Sequence, residues 1–124
     1  MMTISEGLIN ECRKRLLSMK MDLMNRARQA RHDFQKSERV GGDEIDQSVA
    51  FLAEHNFLIS QDRLRHQLLE IEYALSRIES GNFGVCEETL EPIETERLLA
   101  IPYTRLSIEG VEIREASRKK YAGL

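Results

Sequence analysis

The sequence predicts a mainly α protein: a long antiparallel coiled-coil hairpin, then a small C-terminal unit ending in a short helix. Three observations lead there. Apolar residues recur at alternating spacings of three and four through two long stretches, the signature of helices packed along one stripe. Gly41-Gly42 separates the two stretches. After Gly81 the pattern gives way to a short turn-rich tail. At 124 residues the chain has no room for two independent cores. Charged residues make up 31%, hydrophobic residues 41% and aromatic residues 6%, a balance that suits long exposed helices better than a compact enzyme core.

The first helix should start at Thr3-Ile4-Ser5-Glu6, which reads as a capping box with Thr3 as the cap. It runs to about Val40 without a proline, along the stripe Ile9, Cys12, Leu16, Met19, Leu23, Ala27, Ala30 and Phe34. Lys36 and Arg39 suit the negative end of its dipole, and Gly41-Gly42 stops it. The second helix should run from Asp43 to about Ser80, along Ile45, Val49, Ala53, Phe57, Leu64, Leu68, Ile71, Leu75 and Ile78. Gly81 ends it by taking the left-handed conformation.

The two stripes fit one antiparallel register. Ile9 pairs with Ile78, Cys12 with Leu75, Leu16 with Ile71, Met19 with Leu68, Leu23 with Leu64, Ala30 with Phe57 and Phe34 with Ala53. Every pair has the same sum of residue numbers, and the turn is centred between Asp43 and Glu44. Arg26 and Gln61 fall in this register as a single polar layer, a feature that fixes pairing at some cost in stability. Arms of this length reach about 50 Å. The hairpin is assigned to residues 3–80 with its tip at 41–48, and the small unit to 81–124.

In the tail, Asn82-Phe83-Gly84-Val85 is a turn segment, and Pro92 opens a short helix through Glu94 to Leu99. Residues 105–111 alternate loosely, as a strand or small hairpin would, and Val111 to Tyr121 suits a last helix with Arg118, Lys119 and Lys120 near its end.

These features exclude several classes of function. A net charge of −3 and a pI of about 5.7 give no general basic field, so direct sequence-specific nucleic-acid binding is not expected. The N-terminus has no signal-peptide pattern, and no apolar run approaches the roughly 20 residues of a membrane span. With only Cys12 and Cys86, far apart, the expectation is a cytoplasmic protein without disulfides. His32, His55 and His66 show no metal-binding spacing, and no phosphate loop, nucleophile elbow or Ser/His/Asp arrangement occurs. Nothing reads as an active site, so neither an enzyme nor a cofactor is expected. Because one chain completes its own coiled coil, a monomer is expected. Asp43 and Asp46 suit the start of a helix. At a projecting tip, the same carboxylates are also presented to a partner.

The run from Ala74-Leu75-Ser76-Arg77-Ile78-Glu79-Ser80-Gly81-Asn82-Phe83-Gly84-Val85-Cys86, followed by Ile93, Arg97-Leu98, Ala100 and Pro102, resembles the DksA/TraR family of bacterial RNA polymerase-binding regulators. That family joins a coiled-coil hairpin to a small four-cysteine zinc finger and a C-terminal helix. Its tip carries Asp-x-x-Asp-x-Ala and enters the polymerase secondary channel. Asp43, Asp46 and Ser48 match the tip, with serine in place of alanine. The resemblance thus implies RNA polymerase as partner, and a modulating rather than catalytic role for these residues. Two other readings keep the fold: a coiled-coil scaffold that has lost polymerase regulation, and a Gre-like stimulator of transcript cleavage.

The departures carry expectations of their own. The family's finger cysteines match Cys86, Thr89, Ser107 and Gly110, of which only Cys86 can ligate zinc as a thiolate. A degenerate, zinc-free finger held by apolar packing is expected, with Val85, Leu90, Ile93, Leu98, Ile101, Leu106 and Ile108 as its core. The family's basic contacts to guanosine tetraphosphate align with Glu70, Ile101 and Val111, none of them basic, so a response through that site is not expected.

Overall fold

The computed structural model describes residues 4–40 and 46–122, with side chains at 39 and 40 left aside. Four helices follow one another: α1 (Glu6–Val40), α2 (Gln47–Ser80), α3 (Thr95–Ala100) and α4 (Ile108–Ala122). Among the described residues the one β contact is an isolated antiparallel bridge between Val85 and Pro92. This is the mainly helical hairpin-plus-small-unit architecture read from the periodicity.

The helix ends show where local chemistry overrides the pattern. Ser5 caps α1: its Oγ accepts from Leu8 N–H at 3.2 Å and its carbonyl from Ile9 N–H at 3.0 Å. Thr3 itself lies outside the described residues. At the far end of α2, Gly81 has φ +82°. Its N–H donates to Ile78 O, and Asn82 N–H donates to Arg77 O, the paired bonds of a Schellman stop. The stop expected at Gly81 is therefore present.

The chain packs as two compact units, residues 18–70 and residues 1–17 with 71–124. In the first, α1 and α2 meet along the expected stripe. Leu23 is buried, and Phe34 and Phe57 stack with ring centroids 4.3 Å apart. The ring of Phe34 thus meets the diagonal neighbour of Ala53, which is itself exposed. Val49, expected in the seam, is 58% exposed. Gln61 does bridge the seam, donating from Nε2 to Ala27 O at 3.4 Å, but Arg26 is not its partner. Arg26 is exposed and pairs with Asp22 one turn back at 3.0 Å, because a guanidinium gains more from a solvated carboxylate than from an apolar seam.

The second unit has its core in Cys12, Leu16, Ile71, Ala74, Phe83, Cys86, Ile93 and Leu98, with Pro102 fully buried beside them. Truncating Leu16 or Leu98 to alanine removes transfer energy and leaves a cavity, a cost of about 2–5 kcal/mol each. Polar bonds from α1 fix α3. The Cys12 thiol donates to Leu98 O at 3.6 Å, and Arg15 Nη1 donates to Leu99 O at 2.6 Å, satisfying carbonyls that the short helix leaves open.

Two members of the expected apolar core are on the surface instead. Leu90 is 76% exposed, because its left-handed backbone (φ 61°) turns the Cys86–Pro92 loop and directs the side chain outward. Ile108 is 54% exposed at the first position of α4. Residues 108–111, expected in a strand or hairpin, begin this last helix. The helix forms early because two groups cap it. Ser107 Oγ accepts from Gly110 N–H at 3.0 Å, and the Glu94 carboxylate accepts from Ile108 N–H through both oxygens at 3.0 and 3.1 Å.

Candidate functional site

Of the three residues assigned to the hairpin tip, Asp43 lies outside the described residues. Asp46 immediately precedes α2 and caps it: its Oδ1 accepts from Ser48 N–H at 3.2 Å and its carbonyl from Ala50 N–H at 3.0 Å. Asp46 is thus the N-cap rather than a first-turn residue of a helix starting at Asp43. Both Asp46 and Ser48 are exposed, and among the described residues capping leaves the remaining carboxylate oxygen without a hydrogen bond. Beside them Phe51 is 73% and Leu52 57% exposed, an apolar flank that the seam assignment did not anticipate. Their exposure follows from phase: the seam position on this stretch is Phe57, and these residues fall on the opposite side of the helix.

Cys86, Thr89, Ser107 and Gly110, the positions assigned to the family's finger cysteines, come together in space. Cys86 is fully buried. Thr89 N–H donates to its Sγ at 3.5 Å, and Ser107 bonds to it as well. A Cβ built on Gly110 would stand 2.5 Å from that sulfur and 3.4 Å from the Cβ atoms of Glu88 and Leu106. The fourth corner is therefore closed by backbone.

This donor set does not fit zinc. It offers one sulfur, two hydroxyls and no side chain at the fourth corner, where a structural site needs four strong ligands. The neighbouring acids are otherwise engaged. Glu87 accepts from Tyr73 Oη at 2.9 Å and lies 3.6 Å from Arg114, while Glu88 accepts from Arg114 Nε at 3.0 Å. Among the described residues no group of three or more His, Cys, Asp or Glu side chains gathers as a metal site would.

Hydrogen bonds surround the Cys86 sulfur. Burial pushes the Cys86 thiol up, but the hydroxyl and backbone donors of Ser107 and Thr89 outweigh it and hold it at about 6. A pKa lowered from 9.0 in this way contributes stability that is fully present above the ordinary thiol value. That stability is lost as the pH falls through 6. Denaturant titrations at pH 9 and pH 6 should therefore differ by roughly 2–4 kcal/mol in wild type, and much less in Cys86→Ala. Parallel profiles for the two proteins would sink this account of the sulfur.

The remaining sequence candidates are not brought together into a site. His32 and His55 are both exposed, and His66 lies 3.8 Å from Asp62 on the surface. Cys12 is buried and its thiol is pushed up by burial, the behaviour of a core residue. Ile101 and Val111 are half-buried apolar groups. No described helix is long and apolar enough to cross a membrane.

No family model matches the chain. Individual relatives do. The RNA polymerase-binding transcription factor DksA of Caulobacter vibrioides is 33% identical over 103 residues, covering 83% of this chain and 72% of that protein. An uncharacterized protein of Aquifex aeolicus is 30% identical over 123 residues, covering 95% of this chain and 83% of its own length. Among solved structures, transcription factor DksA2 from Pseudomonas aeruginosa superposes with a TM-score of 0.85 at 30% identity, covering 93% of this chain and 88% of that one. The hairpin, the converging finger positions and these similarities agree, and the chain belongs to the DksA/TraR family.

Proposed function

We propose that this protein is a cytoplasmic regulator that binds RNA polymerase through its secondary channel and modulates initiation through the hairpin tip, without catalysis of its own. The observation that carries the proposal is the 33% identity, across 72% of its length, to a relative named for polymerase binding. Support from the chain itself is the exposed Asp46, held at the start of α2 with one carboxylate oxygen uncommitted among the described residues. Asp43 and Asp46 would act by charge near the partner's reaction centre, with Ser48 taking the place of the family's alanine.

We further propose that the protein works as a monomer, without zinc and without the family's contacts to guanosine tetraphosphate. The sulfur–hydroxyl cluster at Cys86, Thr89, Ser107 and Gly110 supports the first absence. The acid and two apolar groups at Glu70, Ile101 and Val111 support the second, since none can neutralise a polyphosphate.

The test is a binding and transcription assay with core and holo polymerase, comparing wild type with Asp43→Asn/Asp46→Asn. The double variant should bind with nearly unchanged affinity but lose most of its effect on initiation, about tenfold or more, because the charges act on the initiating complex rather than on docking. Absence of wild-type binding would favour a scaffold that has lost the polymerase. Stimulated cleavage of a stalled transcript would identify a Gre-like activity instead.

A further inference from the structure

The face of α2 turned away from the seam carries an apolar patch near its start. Phe51 is 73%, Leu52 57%, Leu58 57% and Ile59 46% exposed, and the exposed His55 lies at their midpoint. Four large side chains at these exposures present about 500 Å² of apolar surface, at the upper end of what a monomeric protein leaves open. The order of the residues is palindromic. Three and four positions before His55 stand Leu52 and Phe51, and the same steps after it reach Leu58 and Ile59. Seven positions out stand Ser48 on one side and Asp62 on the other, both exposed and both on this face.

A surface with the same character read from either end is what a two-fold interface requires, because each residue then meets its mirror position on the second copy. Two α2 helices packed antiparallel about His55 lay Phe51 and Leu52 of one copy against Leu58 and Ile59 of the other, twice over. Ser48 then faces Asp62, hydroxyl to carboxylate. A shallow hollow beside His55, Leu58, Ile59 and Asp62 lies where the Phe51 ring of the second copy arrives. A parallel pair would instead set Asp62 against Asp62, like charge on like. The antiparallel overlap runs from residue 47 to residue 63, about 25 Å of helix.

We propose that a second copy of this chain covers the patch, as an antiparallel homodimer with its two-fold axis at His55, and that this pairing holds the protein in reserve. Together the two patches bury about 1,000 Å², the low end for a specific interface, so the dimer forms and separates in roughly the micromolar range. The overlap covers the start of α2 next to Asp46. A hairpin carrying a second hairpin along this stretch is too wide for a channel that admits one. The active form is therefore the monomer, and its supply falls as the pair accumulates. That consequence, unlike the pairing itself, rests on the polymerase reading above.

Sedimentation of the full-length protein from about 1 to 100 µM should show a monomer passing into a dimer. Leu52→Glu/Leu58→Glu should weaken pairing about tenfold or more, with unchanged helicity because both side chains are exposed. Cysteine cross-linking under mild oxidation reads the register, since Cys12 and Cys86 are buried. His55→Cys should link to itself, because the axis brings its two Cβ atoms within about 4 Å. Leu52→Cys alone should not link, but should do so when mixed with Ile59→Cys. A protein that stays monomeric throughout, or a Leu52→Cys variant that links to itself as readily as His55→Cys, would overturn the dimer. The linked His55→Cys pair should fail to bind core polymerase until it is reduced. Equal binding by the linked and reduced forms would overturn the reserve role. If neither wild type nor any variant binds polymerase while His55→Cys still links, the polymerase reading falls and the dimer stands.

Discussion

Replacing Thr89, Ser107 and Gly110 together with cysteine should convert the small unit into a protein holding one zinc per chain. The backbone already brings these three positions around Cys86, whose sulfur is 3.5 Å from Thr89 N and 2.5 Å from where a Gly110 side chain would begin. The Cys86 side chain must turn away from the new Cβ at position 110, after which Zn–S bonds of about 2.3 Å would hold the four sulfurs around one ion. Structural zinc contributes about 10–16 kcal/mol in small finger peptides, so a formed site should raise the melting temperature and make folding sensitive to chelator. Wild type should contain no stoichiometric zinc and remain folded in chelator. Gly110→Cys alone should do harm, since one new thiol meets Sγ, Glu88 and Leu106 with no metal to organise it. Metal analysis settles the matter: a zinc-free triple variant, or a zinc-loaded wild type, would show that the four positions are not a vestigial site.

Arg77→Met should cost about 3–5 kcal/mol of unfolding free energy. Arg77 is 7% exposed, and its Nη2 donates to Asn82 O at 2.9 Å and to Val85 O at 2.5 Å. It stands in the last turn of α2, where the helix dipole favours a cation in place of a counter-ion. One side chain therefore ties the Schellman stop to the start of the finger loop. Methionine keeps much of the packing but leaves two carbonyls without their charged donor, each worth about 1.5–3 kcal/mol. Arg77→Lys should rescue little, because a single ammonium lacks the planar fork that spans two acceptors. Chemical denaturation measures the loss. A change below about 1 kcal/mol would mean that water replaces the guanidinium.

The hairpin was legible in the sequence because it rests on repetition. A stripe of apolar residues at helical spacing, repeated through Leu16, Leu23, Leu64 and Ile71, tolerates errors at single positions and still names the buried face. The Gly81 stop was legible for a different reason: only glycine takes φ +82° without strain. What was not legible depends on partners distant in sequence. No spacing rule links Glu94 to Ile108, or Arg15 to Leu99, and these bonds decide where α4 begins and how α3 is held. Hydrophobicity alone puts Leu90 and Ile108 inside, whereas backbone direction and helix phase put them outside.

The Glu94 cap has a consequence for how the end of the chain behaves in time. α4 buries only Gly110, with Val111 and Arg114 half-covered, so packing contributes little to it. A 15-residue helix of such composition is marginal by itself. Its nucleus is instead assembled from outside, by a carboxylate that sits 14 positions earlier, at the entrance to α3. The last helix is therefore a conditional element. It forms when the segment from Glu94 to Ser107 is closed, and its amides should exchange with solvent together whenever that segment opens, rather than fraying one at a time.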